Sequence, residues 1–300
     1  MPTRRWSTGY GAASSSAPDT GPPLKARGAG SAIAYQPAGP GSPEARRAPV
    51  SVVSGRAVAR CSVLEFLLAA VLLFGVATIV RWIAGPSPVS AAIPQVHLEL
   101  LLIGACVGLL LAGLILAGKA SGGHINPAIS VAMWRFGLFP GIAVVPYIAA
   151  QLAGSVAGTL AGRVAWGPAL ARPPVFDASL QPGHGWSAGP LFAGEAVSMG
   201  VIIVVVGLFL AVPRLAPLVP WLVGFLIGLA IAVLGTTTGG SVNPARQFGP
   251  AIVSGRVGYL WVYLLAPLAG AFLAGPLRDA LVRLFFRPHS PGSPPGQGRK

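Results

Sequence analysis

Apolar residues in this chain come in long blocks rather than in alternation. Six blocks, at about 61–80, 98–118, 141–162, 191–212, 218–235 and 258–277, reach the roughly 17–25 residues that a helix needs to cross a hydrocarbon core about 30 Å thick. The glycines and prolines scattered through them are ordinary in membrane helices. Two further apolar blocks are too short to span. "PAISVAMWRF" (127–136) and "PARQFGPAIV" (244–253) have ten residues each, so as helices they cover about 15 Å, half of that thickness.

Both short blocks open the same way. "GGHINPA" at 122–128 returns as "GGSVNPA" at 239–245. Asn favours the cap position of a helix and Pro its first turn, where a missing N–H costs nothing. Each Asn-Pro-Ala therefore starts a half-length helix. The "SGGH" and "TGGS" stretches before them are non-helical backbone at membrane depth, which survives only when buried in protein or lining a wet cavity.

The order is three spans with a short helix between the second and third, then the same again. Three being odd, the second half enters the membrane upside down, and a site between such inverted halves is expected at the midplane. The expected fold is an all-α membrane protein of six transmembrane helices and two re-entrant half-helices. Its expected divisions are a disordered tail (1–59), a first repeat (60–165), an extracellular connection (166–189), a second repeat (190–280) and a second disordered tail (281–300).

Composition agrees. The 300 residues are 53% hydrophobic and only 9% charged, against about 25% in soluble domains, so the chain cannot cover a water-facing surface. The formal charge of +14 forms no basic stripe with interleaved aromatics, which argues against nucleic acid. With both termini inside, the inner side collects 16 of the 21 Lys and Arg, and the outer side holds Arg81, Arg163, Arg172, Arg246 and Arg256, as the positive-inside rule asks. Cys61 and Cys106 both lie in apolar blocks and give no disulfide framework.

In this arrangement the N-termini of both short helices meet at the membrane centre. Each brings about half a positive charge and unpaired N–H groups. Asn126 and Asn243 offer amides there, and the carbonyls of Gly122, Gly123, His124, Thr238 and Gly239 line the approach. Such a path suits a small neutral solute and disfavours cations and protons.

"SGGHINPA", "GGSVNPARQFGPA" and the six-span inverted repeat resemble the aquaporin and aquaglyceroporin channels over about residues 60–280. The resemblance implies a channel without cofactor or metal, a homotetramer in the cell membrane with both termini cytoplasmic, and water, glycerol or ammonia as solutes. It makes Asn126, Pro127, Ala128, Asn243, Pro244 and Ala245 the central constriction. It makes Glu65 and Glu195 buried braces for the re-entrant loops, with Gln151 of "YIAAQLAG" beside them. The family's spacing from each Asn maps the outer filter onto Cys106, Ile231, Gly240 and Arg246. Water-selective members carry an aromatic ring and a histidine at the first two of these positions, so this filter is expected to be wider and more apolar. If Cys106 faces the path, a mercurial blocks conduction. Gln247 stands where glycerol channels have Asp, while Tyr263 is similar to water channels and Leu264 to glycerol channels. Lys119 replaces a frequent His near the inner mouth.

Three other readings stand beside a passive channel. An ion-coupled transporter also uses broken helices in inverted repeats, but needs an ionisable group or ion cage at the midplane. A membrane enzyme lacks a metal cluster or a nucleophile–base pair; His97, His184 and His289 have no ligand spacing. A pore that has closed and become structural is opposed by the intact Asn, Gly and Arg positions.

Overall fold

The computed structural model describes residues 54–93 and 95–286. The two expected tails fall mainly outside these residues. Within them, the long helices are α1 (Gly55–Ile83), the short α2 (Pro88–Ala92), α3 (Val96–Ala117), the half-length α4 (Pro127–Arg135) and α5 (Gly141–Trp166). A short α6 (Pro168–Ala171) follows, then α7 (Ala188–Ala211), α8 (Val219–Leu234), the half-length α9 (Pro244–Ser254) and α10 (Leu260–Phe285). Among the described residues, six helices are long and apolar enough to cross a membrane.

The largest departures from the hydropathy reading are at two boundaries. Gly55–Arg60 belongs to α1, capped by the Ser54 hydroxyl accepting from the Ala57 amide, and α10 continues to Phe285. Apolar blocks mark the hydrocarbon depth, whereas α1 starts with Arg56 and Arg60 and α10 ends through Arg278, Asp279 and Arg283, so both helices extend past it. The connection 166–189 is not a bare loop, since it holds α6 and a 3₁₀ turn at Phe176–Ala178.

The packing follows the repeat. α1 lies against α5 and α7 against α10, while α3 and α8 join the two halves. Each half-helix crosses over, α4 onto α10 and α9 onto α5. The α3/α8 seam rests on small residues. A Cβ on Gly108 would stand 2.5 Å from the Gly224 carbonyl oxygen, and one on Gly104 would stand 2.3 Å from that of Gly228. Backbones approach that closely because lipid gives no hydrophobic drive between helices, and dispersion at short range has to supply it. Outward faces carry Val63, Leu67, Val145, Val164 and Leu273, all exposed, as a bilayer-facing surface should. Polar side chains go inward. Glu65, Glu195, Gln151, Ser155, Thr159 and Gln247 are fully buried.

Candidate functional site

The two half-helices meet nose to nose. Asn126 caps α4, its Oδ1 accepting from the Ala128 amide at 2.9 Å. Asn243 caps α9, its Oδ1 accepting from Ala245 at 2.9 Å and Arg246 at 3.3 Å. With the oxygens committed, each amide nitrogen reaches the opposite half. Asn126 Nδ2 donates to the Val242 carbonyl at 3.0 Å, and Asn243 Nδ2 to the Ile125 carbonyl at 3.2 Å. Ile125 and Val242 stand at φ 53° and 42°, a region β-branched residues avoid. Such strain persists only where the surroundings over-determine it.

The surroundings do so through the two glutamates. Glu65 Oε1 accepts from the Ser121 hydroxyl at 2.7 Å and the His124 amide at 3.0 Å. Its Oε2 accepts from the Ile125 amide at 2.7 Å and Gln151 Nε2 at 2.8 Å. Glu195 accepts from the Ser241 and Val242 amides at 3.1 and 2.7 Å. Burying a carboxylate is expensive, and four donors on Glu65 and one on each oxygen of Glu195 offset the cost. The tyrosines repeat the symmetry. Tyr147 donates to the Ser121 carbonyl and Tyr263 to the Thr238 carbonyl, each at 2.7 Å. The Thr238 carbonyl, expected on the path, is thus engaged by α10.

Other carbonyls stay open. Among the described residues, no protein donor meets the carbonyls of Gly122, Gly123 and His124 in the first loop, or of Gly239 and Gly240 in the second. Gly122, Gly123 and His124 border a cavity of about 140 Å³ that Ile115, Met133, Phe139, Val206 and Val223 also line. His124 is buried, its Nδ1 3.0 Å from the Ser130 hydroxyl.

At the other mouth the mapped residues separate. Ile231 is buried. Gly240 stands at φ 60°, and a Cβ there would lie 2.4 Å from the Ala230 carbonyl, so this position admits no side chain. Arg246 Nη1 donates to the Ala178 carbonyl at 2.6 Å. Cys106 does not join them. It is exposed, while Ile103, Val107 and Leu111 of the same helix are buried with Ile231 in the core. At about 100° per residue, Cys106 is turned away from that stripe by roughly a quarter of a turn from Val107. Cys106 therefore stands off the buried stripe that its expected place in the filter would need, and Val107 is the neighbour that shares this core with Ile231. Lys119, His97 and His184 are exposed, and His289 lies outside the described residues.

Three features escaped the sequence reading. The Ser155 hydroxyl of α5 donates to the Ala245 carbonyl and accepts from the Gly249 amide at 2.8 Å, standing inside the first turn of α9. Gln247 grips both backbone groups of Leu180, each at 2.9 Å. Asp177, fully buried, pairs with Arg163. A polar residue inside an apolar block was the available signal for Ser155. Nothing local announced the other two.

Comparison with known proteins gives concordant findings. The profile described as major intrinsic protein matches residues 53–277. The chain is 38% identical over 192 residues to the probable aquaporin AqpM of Archaeoglobus fulgidus, covering 60% of this chain and 76% of that one. It is 36% identical to the aquaporin NIP3-1 of Zea mays, over 57% of this chain and 55% of the relative. With 35% identity to the aquaporin TIP2-3 of Arabidopsis thaliana it covers 65% of that protein, so it spans less than two thirds of either plant relative. Among solved structures, the aquaglyceroporin from Plasmodium falciparum superposes with a TM-score of 0.61 at 23% identity, over 74% of this chain and 99% of that one, a likeness of fold.

Proposed function

The chain belongs to the major intrinsic protein family and is a passive membrane channel, not an enzyme; we propose that water and small neutral solutes of glycerol size cross it between Asn126 and Asn243. The observation that carries this reading is the row of open carbonyls at Gly122, Gly123 and His124 and at Gly239 and Gly240. Backbone acceptors at membrane depth need a donor. A passing hydroxyl or water supplies it, and a cation gains little because two helix N-termini face it at the centre.

The filter consists of Val107, Ile231, Gly240 and Arg246. It has one strong donor and no ring, which favours a width that glycerol passes. The chain sits in the cell membrane as a homotetramer with both termini cytoplasmic, the orientation that places 16 of 21 Lys and Arg inside. The repeats run over 60–165 and 190–280.

Stopped-flow light scattering on proteoliposomes tests this. Under an impermeant osmolyte the vesicles shrink faster than empty liposomes. Under a glycerol gradient they shrink and then quickly re-swell. Shrinkage without re-swelling would make the channel water-selective. A rate equal to that of empty liposomes, with folded protein present, would overturn the channel.

A further inference from the structure

We infer that Asp177 and Arg163 form a latch which sets where Arg246 stands at the outer mouth, and thereby which solutes the channel admits. The selectivity half of this inference rests on the channel reading above.

Asp177 is one of seven acidic residues in the chain and is fully buried in the connection between the repeats. One guanidinium holds both of its oxygens. Arg163 Nε donates to Oδ1 at 3.0 Å, and Nη2 donates to Oδ2. That side-on fork fixes direction as well as distance. Arg163 lies in the last turn of α5, a rigid element that also carries Ser155, the hydroxyl seated in α9. The connection is thus tied to the same helix that anchors the second half-helix.

What the latch holds is costly backbone. Phe176, Asp177 and Ala178 stand at φ 46°, 58° and 61°, three consecutive left-handed residues with no glycine among them. L-residues visit that region singly, and a run of three needs outside support. The ion pair grips its middle residue. The Arg256 guanidinium lies 4.0 Å over the Phe176 ring on one side, and Gln247 clasps Leu180 on the other.

The turn delivers the Ala178 carbonyl. Among the described residues it accepts the only hydrogen bond made by the Arg246 side chain, at 2.6 Å. A left-handed turn points this carbonyl toward α9, and an extended chain would point it elsewhere. Asp177 touches no solute and acts through Ala178 on Arg246, as a positioning residue. With the latch open, the guanidinium loses its fixed partner and swings across the lumen, where it hinders glycerol more than water.

The test uses Asp177→Asn, Arg163→Gln and the double variant, in full-length chain. Asn tolerates the left-handed region, so Asp177→Asn removes the charge and keeps the turn's conformational preference. The Arg163 side chain is 39% exposed, so Gln there stays partly solvated. In proteoliposomes the ratio of glycerol to water permeability should fall about threefold or more in each single variant, the effect of roughly one hydrogen bond. The double variant should fall no further, because the two residues act as one unit. In detergent, amide hydrogen exchange over 176–180 should accelerate about tenfold or more in all three, as expected when a local opening loses its main restraint.

Exchange unchanged in the variants overturns the latch, whatever the conduction. Accelerated exchange with an unchanged permeability ratio, both permeabilities falling together, overturns the control of selectivity. A wild type that conducts no better than empty liposomes overturns the channel reading and this selectivity role with it, while the exchange result still decides the latch.

Discussion

Val107 and Cys106 are adjacent in sequence, yet the first is buried in the same core as Ile231 and the second is exposed. A ring placed at each position separates the two possible filters. Val107→Phe should slow glycerol entry about tenfold, an increase of roughly 1.4 kcal/mol in barrier, while water flow falls much less. Cys106→Phe should leave both nearly unchanged, and the wild type should resist a thiol-reactive mercurial. Mercurial block relieved by Cys106→Ser would return Cys106 to the filter. Glu65 makes a second residue-scale case. Its four donors occupy both oxygens, so Glu65→Gln must turn an NH₂ against a backbone N–H. Each donor left unmet costs roughly 1–3 kcal/mol. The variant should unfold in detergent at a clearly lower temperature, and an unchanged melting curve would show that the loop holds without the carboxylate.

Among the elements, the α3/α8 seam is the joint most sensitive to volume. Gly108 and Gly113 sit on the same helix, but a Cβ at Gly108 would meet the Gly224 carbonyl at 2.5 Å, whereas one at Gly113 meets nothing within 4 Å. Backbone cannot step aside as a side-chain end can, and overpacking costs about 1–3 kcal/mol or more. Gly108→Val should abolish the monodisperse peak in size-exclusion chromatography, while Gly113→Val keeps it; equal behaviour would mean that the seam is looser than its geometry. The same scale shows what the sequence makes legible. Six spans, two half-helices and their inverted order follow from block length and from two Asn-Pro-Ala sites, because desolvation acts on every residue of a span. The rotational phase of a helix does not follow. Spacing counted back from Asn126 selects Cys106, and a slip of one residue turns the side chain by about 100°. Nor does the turn at Phe176–Ala178 follow, because the side chains that contact it and its flank, Arg163, Arg256 and Gln247, come from elsewhere in the chain. The braces Glu65 and Glu195 stand out in sequence as isolated charges in apolar blocks, but which N–H groups they accept from is a property of the assembled halves.

For the whole molecule the deciding question is whether transport couples to an ion gradient. An ion-coupled carrier built from inverted repeats needs a titratable group or an ion cage facing its midplane site. Here the two acids nearest the centre spend their oxygens on the loops, Glu65 on Ser121, His124, Ile125 and Gln151, and Glu195 on Ser241 and Val242. On the proposed path, what is left to meet a solute at the centre is the second N–H of each Asn126 and Asn243 amide, the first being spent on the opposite loop, at the positive ends of two helices whose fields add because both N-termini point inward. An entering cation meets that field after losing water, in a region where an interaction between charges is many times stronger than in solution. The expected outcome is conduction indifferent to gradients. Glycerol entry into proteoliposomes should keep the same rate when a protonophore or a sodium ionophore dissipates an imposed gradient, and a lumenal pH dye should report no proton leak above that of empty vesicles. Entry that slows when a gradient collapses would require an ion site that these amides do not provide, and would replace the channel with a carrier.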